Sequence, residues 1–289
     1  MNIFLTNDDA YMAKGLMSMM DILSTFVGDE GFVEVIAPKK TQSGMAMALT
    51  LGMQPIAYRH LWTRGNVSLA YLDATPASCV KFVTNFGQCP TPDVIISGIN
   101  HGINASTSAL YSGTLGAAAE GTLNGILSIG VSLDSVDPLA DFSCVERFFP
   151  RILSALLASP PTPHSGIYYN VNFPALPPHR VKGIRIGVMG QGRWIKEYVP
   201  MDSPAFGKRG ISPSALKQAV DSYPHTKEES LYMMLGEYMD YPQSGPLADN
   251  HLVERGYISV VAHNIYSTSP EETRRLDAIG SLNCDFPVK

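Results

Sequence analysis

The chain has 289 residues, 45% of them apolar and 16% charged, with a formal net charge of −5. Such a composition buries a sizeable core, as one large α/β unit or two average domains, and excludes a disordered chain or a charged coiled coil. The slight acidity leaves no polyelectrolyte face for a nucleic-acid polymer.

Residues 2–7 (NIFLTN) form a short apolar run ending in polar residues, the pattern of a buried parallel strand. Met12, Leu16, Met19, Met20, Leu23 and Val27 recur at helical spacing over 12–27, which predicts a helix with its methionines in the core. FVEVIAP (32–38) predicts a second strand, and β-like pieces follow near 54–59 and 67–73. Thr75-Pro76 reads as the cap and first residue of a helix reaching about Phe86. Then come a strand at 93–98 (DVIISG), a small-residue helix from Ser112 to Gly125, a strand at 126–133, a helix at 143–158 and a strand at 167–173. Strands alternating with helices predict an α/β, Rossmann-like fold, a mostly parallel sheet with helices on both faces. Pro174, Pro177 and Pro178 break this pattern. Residues 1–174 are therefore expected to form the core. Residues 175–289 are expected to be an irregular region of short strands and polar loops that partly returns to the core and carries oligomer contacts.

Four scattered cysteines, Cys79, Cys89, Cys144 and Cys284, form no C-x-x-C pair and read as reduced thiols. The first residues have no basic n-region, and no stretch reaches the roughly 18 uncharged apolar residues of a membrane helix. These features predict a cytoplasmic protein without membrane contact.

Ligands of an open parallel sheet bind beyond the carboxyl ends of its strands. The first strand ends in Thr6-Asn7-Asp8-Asp9, the second leads to Thr41-Gln42-Ser43-Gly44, and the strand at 93–98 runs into Ser97-Gly98-Ile99-Asn100-His101-Gly102-Ile103-Asn104. Two carboxylates, hydroxyls and amide oxygens meeting there suit a hard divalent cation such as Mg²⁺ or Mn²⁺, and zinc poorly. Asp8 and Asp9 serve equally well as caps of the following helix, and the Ser-Gly pairs as ordinary turns. Tyr111-Ser112-Gly113-Thr114 opens the small-residue helix with free N–H groups, hydroxyls and a positive dipole end, the parts of a phosphate cradle or of a plain N-cap. His101 reads as a solvated loop histidine. Gly187-Val-Met-Gly190-Gln-Gly192 is the nearest dinucleotide signal, without a third glycine or a clear following helix.

Ile3-Phe-Leu-Thr-Asn-Asp-Asp9, Ala37-Pro38 with Gln42-Ser43-Gly44, Ser97-Gly-Ile-Asn100 and Tyr111-Ser-Gly-Thr114 with Glu120-Gly121 resemble the SurE family of 5′-nucleotidases and acid phosphatases. Asp73-Ala-Thr-Pro76 with Cys79-Val80, Asn170-Val-Asn172-Phe-Pro174 and Gly256-Tyr-Ile-Ser259 extend the resemblance over nearly the whole chain. It implies one divalent cation per subunit, Mg²⁺ or Mn²⁺, held by Asp8, Asp9, Ser43 and Asn100. It also implies hydrolysis of small phosphomonoesters, commonly nucleoside monophosphates, and homodimers or homotetramers built through C-terminal segments. Within that reading Asp8 and Asp9 are catalytic, Asp8 orienting or deprotonating water, while Asn104, Ser112, Gly113 and Thr114 bind phosphate. Ala10, Ala74, Ser78, Ser106-Thr107-Ser108, Ala248 and Thr268-Ser269-Pro270 stand where the family usually has other residues, glycine at 10 and at 106 among them. Two alternatives are a diverged paralogue that holds metal and nucleotide without turnover, and a nicotinamide-dependent oxidoreductase using Gly187–Gly192.

Overall fold

A computed structural model describes residues 1–86, 90–208 and 212–279, so Cys89 and Cys284 lie outside the described residues. The chain runs through β1 (Asn2–Thr6), α1 (Lys14–Val27), β2 (Phe32–Pro38), β3 (Tyr58–Arg64), β4 (Val67–Leu72), α2 (Pro76–Phe86) and β5 (Val94–His101). After a 3₁₀ turn at Ser106–Tyr111 come α3 (Gly113–Leu123), β6 (Leu127–Leu133), α4 (Ser143–Ala158) and β7 (Ile167–Phe173). The remainder holds β8 (Ile184–Ile186), β9 (Gly192–Ile195), β10 (Tyr198–Pro200), α5 (Ala205–Lys208), α6 (Pro213–Ser222), β11 (Tyr232–Met234), β12 (Glu237–Asp240), α7 (Asp249–Glu254), β13 (Ile258–Asn264) and α8 (Pro270–Asp277).

Nine strands form one sheet in the order β3-β4-β2-β1-β5-β6-β7-β13-β8. The six from β4 to β7 are parallel; β3 and β13 pair antiparallel to β4 and β7. Alternate residues of β1 feed opposite faces, as a strand's period of two requires. Ile3 and Leu5 join the larger core with α1 and α4, while Phe4 joins the smaller one with α2 and α3. Helix α3 is buried from Gly113 through Thr122, and its glycines and alanines let it lie close against β5 and β6.

The chain leaves β1 toward β2 and later returns to place β5 on β1's other side, so the carboxyl ends of β1 and β5 flank the switch point of the sheet. Strand β5 runs to His101, beyond the expected end at 98. Its pairing with β6 shifts register between Ser97 and Asn100 and then resumes with Asn100 opposite Ser132. The Gly98–Ile99 peptide is cis.

Some expectations need correcting. The β-like piece at 54–59 is a strand only from Tyr58, because Pro55 has no N–H to give a ladder. The first helix starts at Lys14 rather than 12, since Asn7 Nδ2 and the Ala13 N–H both close a turn on the Ala10 carbonyl. Met12 is consequently 74% exposed, outside the core that takes Met19 and Met20. The region after 174 contains α6 and α7 as well as short strands; Ser212 caps α6 ahead of Pro213. No helix among the described residues is long and apolar enough to cross a membrane. Cys79 and Cys144 are buried free thiols, both pushed up by burial, to about 12 and about 11.

Candidate active site

A cavity of about 220 Å³ opens at the β1–β5 switch point, and Asp8, Ser43, Asn100, Asn104 and Ser112 line it together with His101, Ser108 and Tyr111. Five of the eight residues expected at the site therefore share one wall. Asp9, Gly113 and Thr114 do not line it but touch residues that do, Asp9 through His101 and the other two through Asp8.

Asp8 is held from both sides. Its Oδ1 accepts from Thr114 Oγ1 at 2.7 Å, and its main-chain oxygen accepts from Gln42 N at 2.7 Å, which pins the Ser43 loop to the end of β1. A Cβ on Gly113 would lie 2.9 Å from the Asp8 Cβ and 3.1 Å from the Gln42 oxygen, so only glycine lets α3 come this close. Burial pushes the Asp8 carboxyl up from 3.8 to about 6; the Thr114 hydroxyl pulls it down and the neighbouring Asp9 charge raises it. Thr114 thus gives its hydroxyl to a carboxylate, an arrangement the motif alone does not reveal.

Asp9 Oδ2 accepts from the His101 N–H at 3.0 Å and lies 3.3 Å from His101 Nδ1. His101 is not the solvated loop residue expected. Continuation of β5 carries it under cover, edge-on to Phe142 with ring centroids 5.3 Å apart, and its Nε2 is buried without a partner. Asn100 commits its Nδ2 to the carbonyls of Gly102 (2.7 Å) and His101 (3.3 Å), which leaves Oδ1 as its donor atom toward a cation.

Asn104 is fixed by strand-end amides. Its N–H donates to Asn172 Oδ1 (2.9 Å), its carbonyl accepts from Asn170 Nδ2 (2.7 Å), and its Nδ2 donates to Ser132 Oγ (2.9 Å). Ser112 caps α3 by accepting from Leu115 N at 3.2 Å. The cap and cradle readings of this turn coexist, because the Ser112 hydroxyl caps while the first N–H groups of the helix remain at its open end.

Among the described residues no three His, Cys, Asp or Glu side chains converge as a metal cluster. A cation at this edge would draw on two carboxylates, one hydroxyl and one amide oxygen. That all-oxygen set fits a hard divalent ion, whose charge would offset a buried aspartate beside a second one. Gly187–Gly192 leads into strand β9 and gives one of its N–H groups, that of Gly190, to Asp249. The helix N-terminus that a dinucleotide pyrophosphate requires does not follow it.

The family model of the survival protein SurE matches residues 3–196. The chain belongs to the SurE family. Its sequence is 32% identical over 285 residues to the 5′-nucleotidase SurE of Cytophaga hutchinsonii, covering 98% of this chain and 96% of that one. The 5′-nucleotidase SurE of Bacteroides fragilis is 31% identical over 258 residues, 89% of each chain. The crystal structure of the SurE protein from Aquifex aeolicus superposes with a TM-score of 0.72 at 24% identity, covering 97% of this chain and 100% of that one, and speaks for the shared fold.

The structure also locates this SurE chain's departures from the usual family residues. Ala10 has φ +78° and Ser106 φ +53°, left-handed backbone that glycine adopts freely. Ser78 ties the 45–50 loop to α2 by accepting from Thr50 N at 2.9 Å. Ala74 is buried in the smaller core. Ala248 sits at the start of α7 without a side-chain cap, and Pro270 opens α8 behind the capping Ser269. Sequence reasoning gave no role to Tyr238, Trp194 or Asp249 of the Ala248-Asp249 pair, all of which contact the 106–108 segment. No local motif marks them.

Proposed function

We propose that this SurE-family chain is a phosphomonoesterase acting on nucleoside 5′-monophosphates, dependent on one divalent cation, Mg²⁺ or Mn²⁺, held by Asp8, Asp9, Ser43 and Asn100. The observation that carries the reading is the pairing of Asp8, buried and anchored on Thr114, with an open cavity that Ser43 and Asn100 also line. Full-length relatives named 5′-nucleotidase support the substrate class.

When bound, the cation supplies Lewis-acid polarisation of a phosphate oxygen and a more acidic water. The protein's own groups do the rest. Thr114 holds one oxygen of Asp8 and thereby leaves the other to orient water and take its proton. Asp9, locked on the His101 N–H, keeps the second charge in place. Asn104 and the N-terminus of α3 meet the non-bridging phosphate oxygens as charge develops, already oriented by the Asn170–Asn172 amides and the Ser112 cap.

The test is phosphate release from nucleoside 5′- and 3′-monophosphates and p-nitrophenyl phosphate with Mg²⁺, Mn²⁺ or chelator. Release that needs the cation and falls at least about a hundredfold in Asp9→Asn is the expected result. Full activity in that variant with metal unchanged contradicts the assignment.

A further inference from the structure

Strands β9 and β12 pair as an antiparallel ribbon with Trp194 opposite Tyr238, their rings edge-to-face at 5.6 Å and 66°. Both side chains reach the 3₁₀ turn between Asn104 and α3. Trp194 Nε1 donates to Ser108 Oγ at 3.2 Å, and Ser108 lines the cavity. Tyr238 OH is hydrogen-bonded to Ser106 Oγ, and Ser106 is 1% exposed. The Ser106 N–H donates to Asp249 Oδ1 at 2.9 Å, and the same oxygen accepts from Gly190 N at 3.0 Å, just before β9. A Cβ on Gly190 would fall 3.1 Å from that of Ser106, so the segment leading into the ribbon is seated directly on the turn.

Ser106 holds its place at φ +53°, a conformation that opposes an L side chain. A backbone kept there needs outside contacts, and here they come from Asp249 and Tyr238. Asn104 at one end of the turn is fixed by Asn170 and Asn172, and Ser112 at the other by its cap. The Ser106–Ser108 stretch between them is tied by the ribbon and by α7.

We propose that Tyr238 and Trp194 are positioning residues for phosphate binding. Acting through the Ser106 and Ser108 hydroxyls, they hold the 104–112 segment where Asn104 and the first turn of α3 can receive a phosphomonoester. This rests on the phosphatase reading above and adds to it a role for the region after residue 190.

The experiment uses the full chain with saturating Mn²⁺, comparing wild type with Tyr238→Phe, Ser106→Gly, their double variant and Trp194→Phe. Values of kcat and KM are measured on a nucleoside 5′-monophosphate and on p-nitrophenyl phosphate. Binding of inorganic phosphate by calorimetry and Tm are measured alongside. Tyr238→Phe and Ser106→Gly should each weaken phosphate binding and raise KM for both substrates about fivefold, the scale of one neutral hydrogen bond. The double variant should lose no more than either single one, because both remove the same contact. Ser106→Gly should keep or raise Tm by relaxing the left-handed backbone, which separates positioning from stability. Trp194→Phe should show the same sign at smaller size. Unchanged phosphate binding in the variants, or losses that add in the double variant, overturns the proposal. If the wild type releases no phosphate from any substrate, the phosphatase reading fails by itself, and calorimetric phosphate binding still decides the role of the ribbon.

Discussion

Two regions meet at the cavity and are built by different means. On the Asp8 side, the side chains sit at or just beyond a regular element, the end of β1, the end of β5 or the first turn of α3, and the Ser43 loop is tied to Asp8 by a main-chain hydrogen bond. Their positions follow from strand register and a glycine-thin helix contact. On the Ser108 side, the chain is a 3₁₀ turn with a left-handed residue, steadied by side chains from β9, β12 and α7 some 85 to 145 residues away in sequence. The first arrangement is rigid because the sheet is. The second is only as firm as a few hydrogen bonds worth about 1 kcal/mol each. The first side therefore suits charged, reacting groups and the second the grip on phosphate.

The sharpest way to break this comparison is to remove charge from the sheet side. Asp8→Asn, like Asp9→Asn, is expected to lower kcat for phosphate release at least about a hundredfold. Thr114→Val leaves both carboxylates but frees Asp8 Oδ1 from its 2.7 Å partner. It should cost about tenfold in kcat/KM, the scale of a hydrogen bond to a charged group. Variants of the ribbon, by contrast, should fall in the fivefold range and move KM rather than kcat.

Acidity sharpens the comparison further. In the cation-free protein the Asp8 carboxyl sits at about 6 instead of 3.8. The folded state therefore holds a proton that the unfolded chain releases between those values. The stability this contributes is fully present below 3.8 and is lost as pH rises through about 6. In thermal melts without added cation, the Tm of wild type relative to Asp8→Asn should fall across that window. The smallest expected effect is at the turn below the site. Ala10→Gly relieves a left-handed alanine at φ +78° and should stabilise by roughly 0.5–1 kcal/mol, read as a small rise in Tm.

Much of the sheet side was legible in sequence because it depends on local pattern. Apolar runs ending in polar residues place β1, β2, β6 and β7, and the switch-point rule brings Asp8, Ser43 and Asn100 together without further information. What local pattern could not show is direction at the strand end. Three additional residues of β5 turn His101 from a solvated loop residue into the partner of Asp9, and the Thr114 hydroxyl faces Asp8. The ribbon side was illegible for a different reason. Asp249, Tyr238 and Trp194 act on main-chain and hydroxyl groups far away in sequence, and a lone acidic or aromatic residue in an irregular stretch carries no periodic signal. Ser106 and Ala10 stood out as non-glycines in glycine positions, but only their positive φ explains why that matters.

The most direct measurement is phosphate release from a nucleoside 5′-monophosphate by the full chain, titrated with Mg²⁺ or Mn²⁺ and then with chelator. Release that appears with the cation, disappears with chelator and falls at least about a hundredfold in Asp9→Asn is the expected result. Release indifferent to chelator, or none from folded protein that binds inorganic phosphate, would contradict a metal-dependent phosphomonoesterase at the β1–β5 edge.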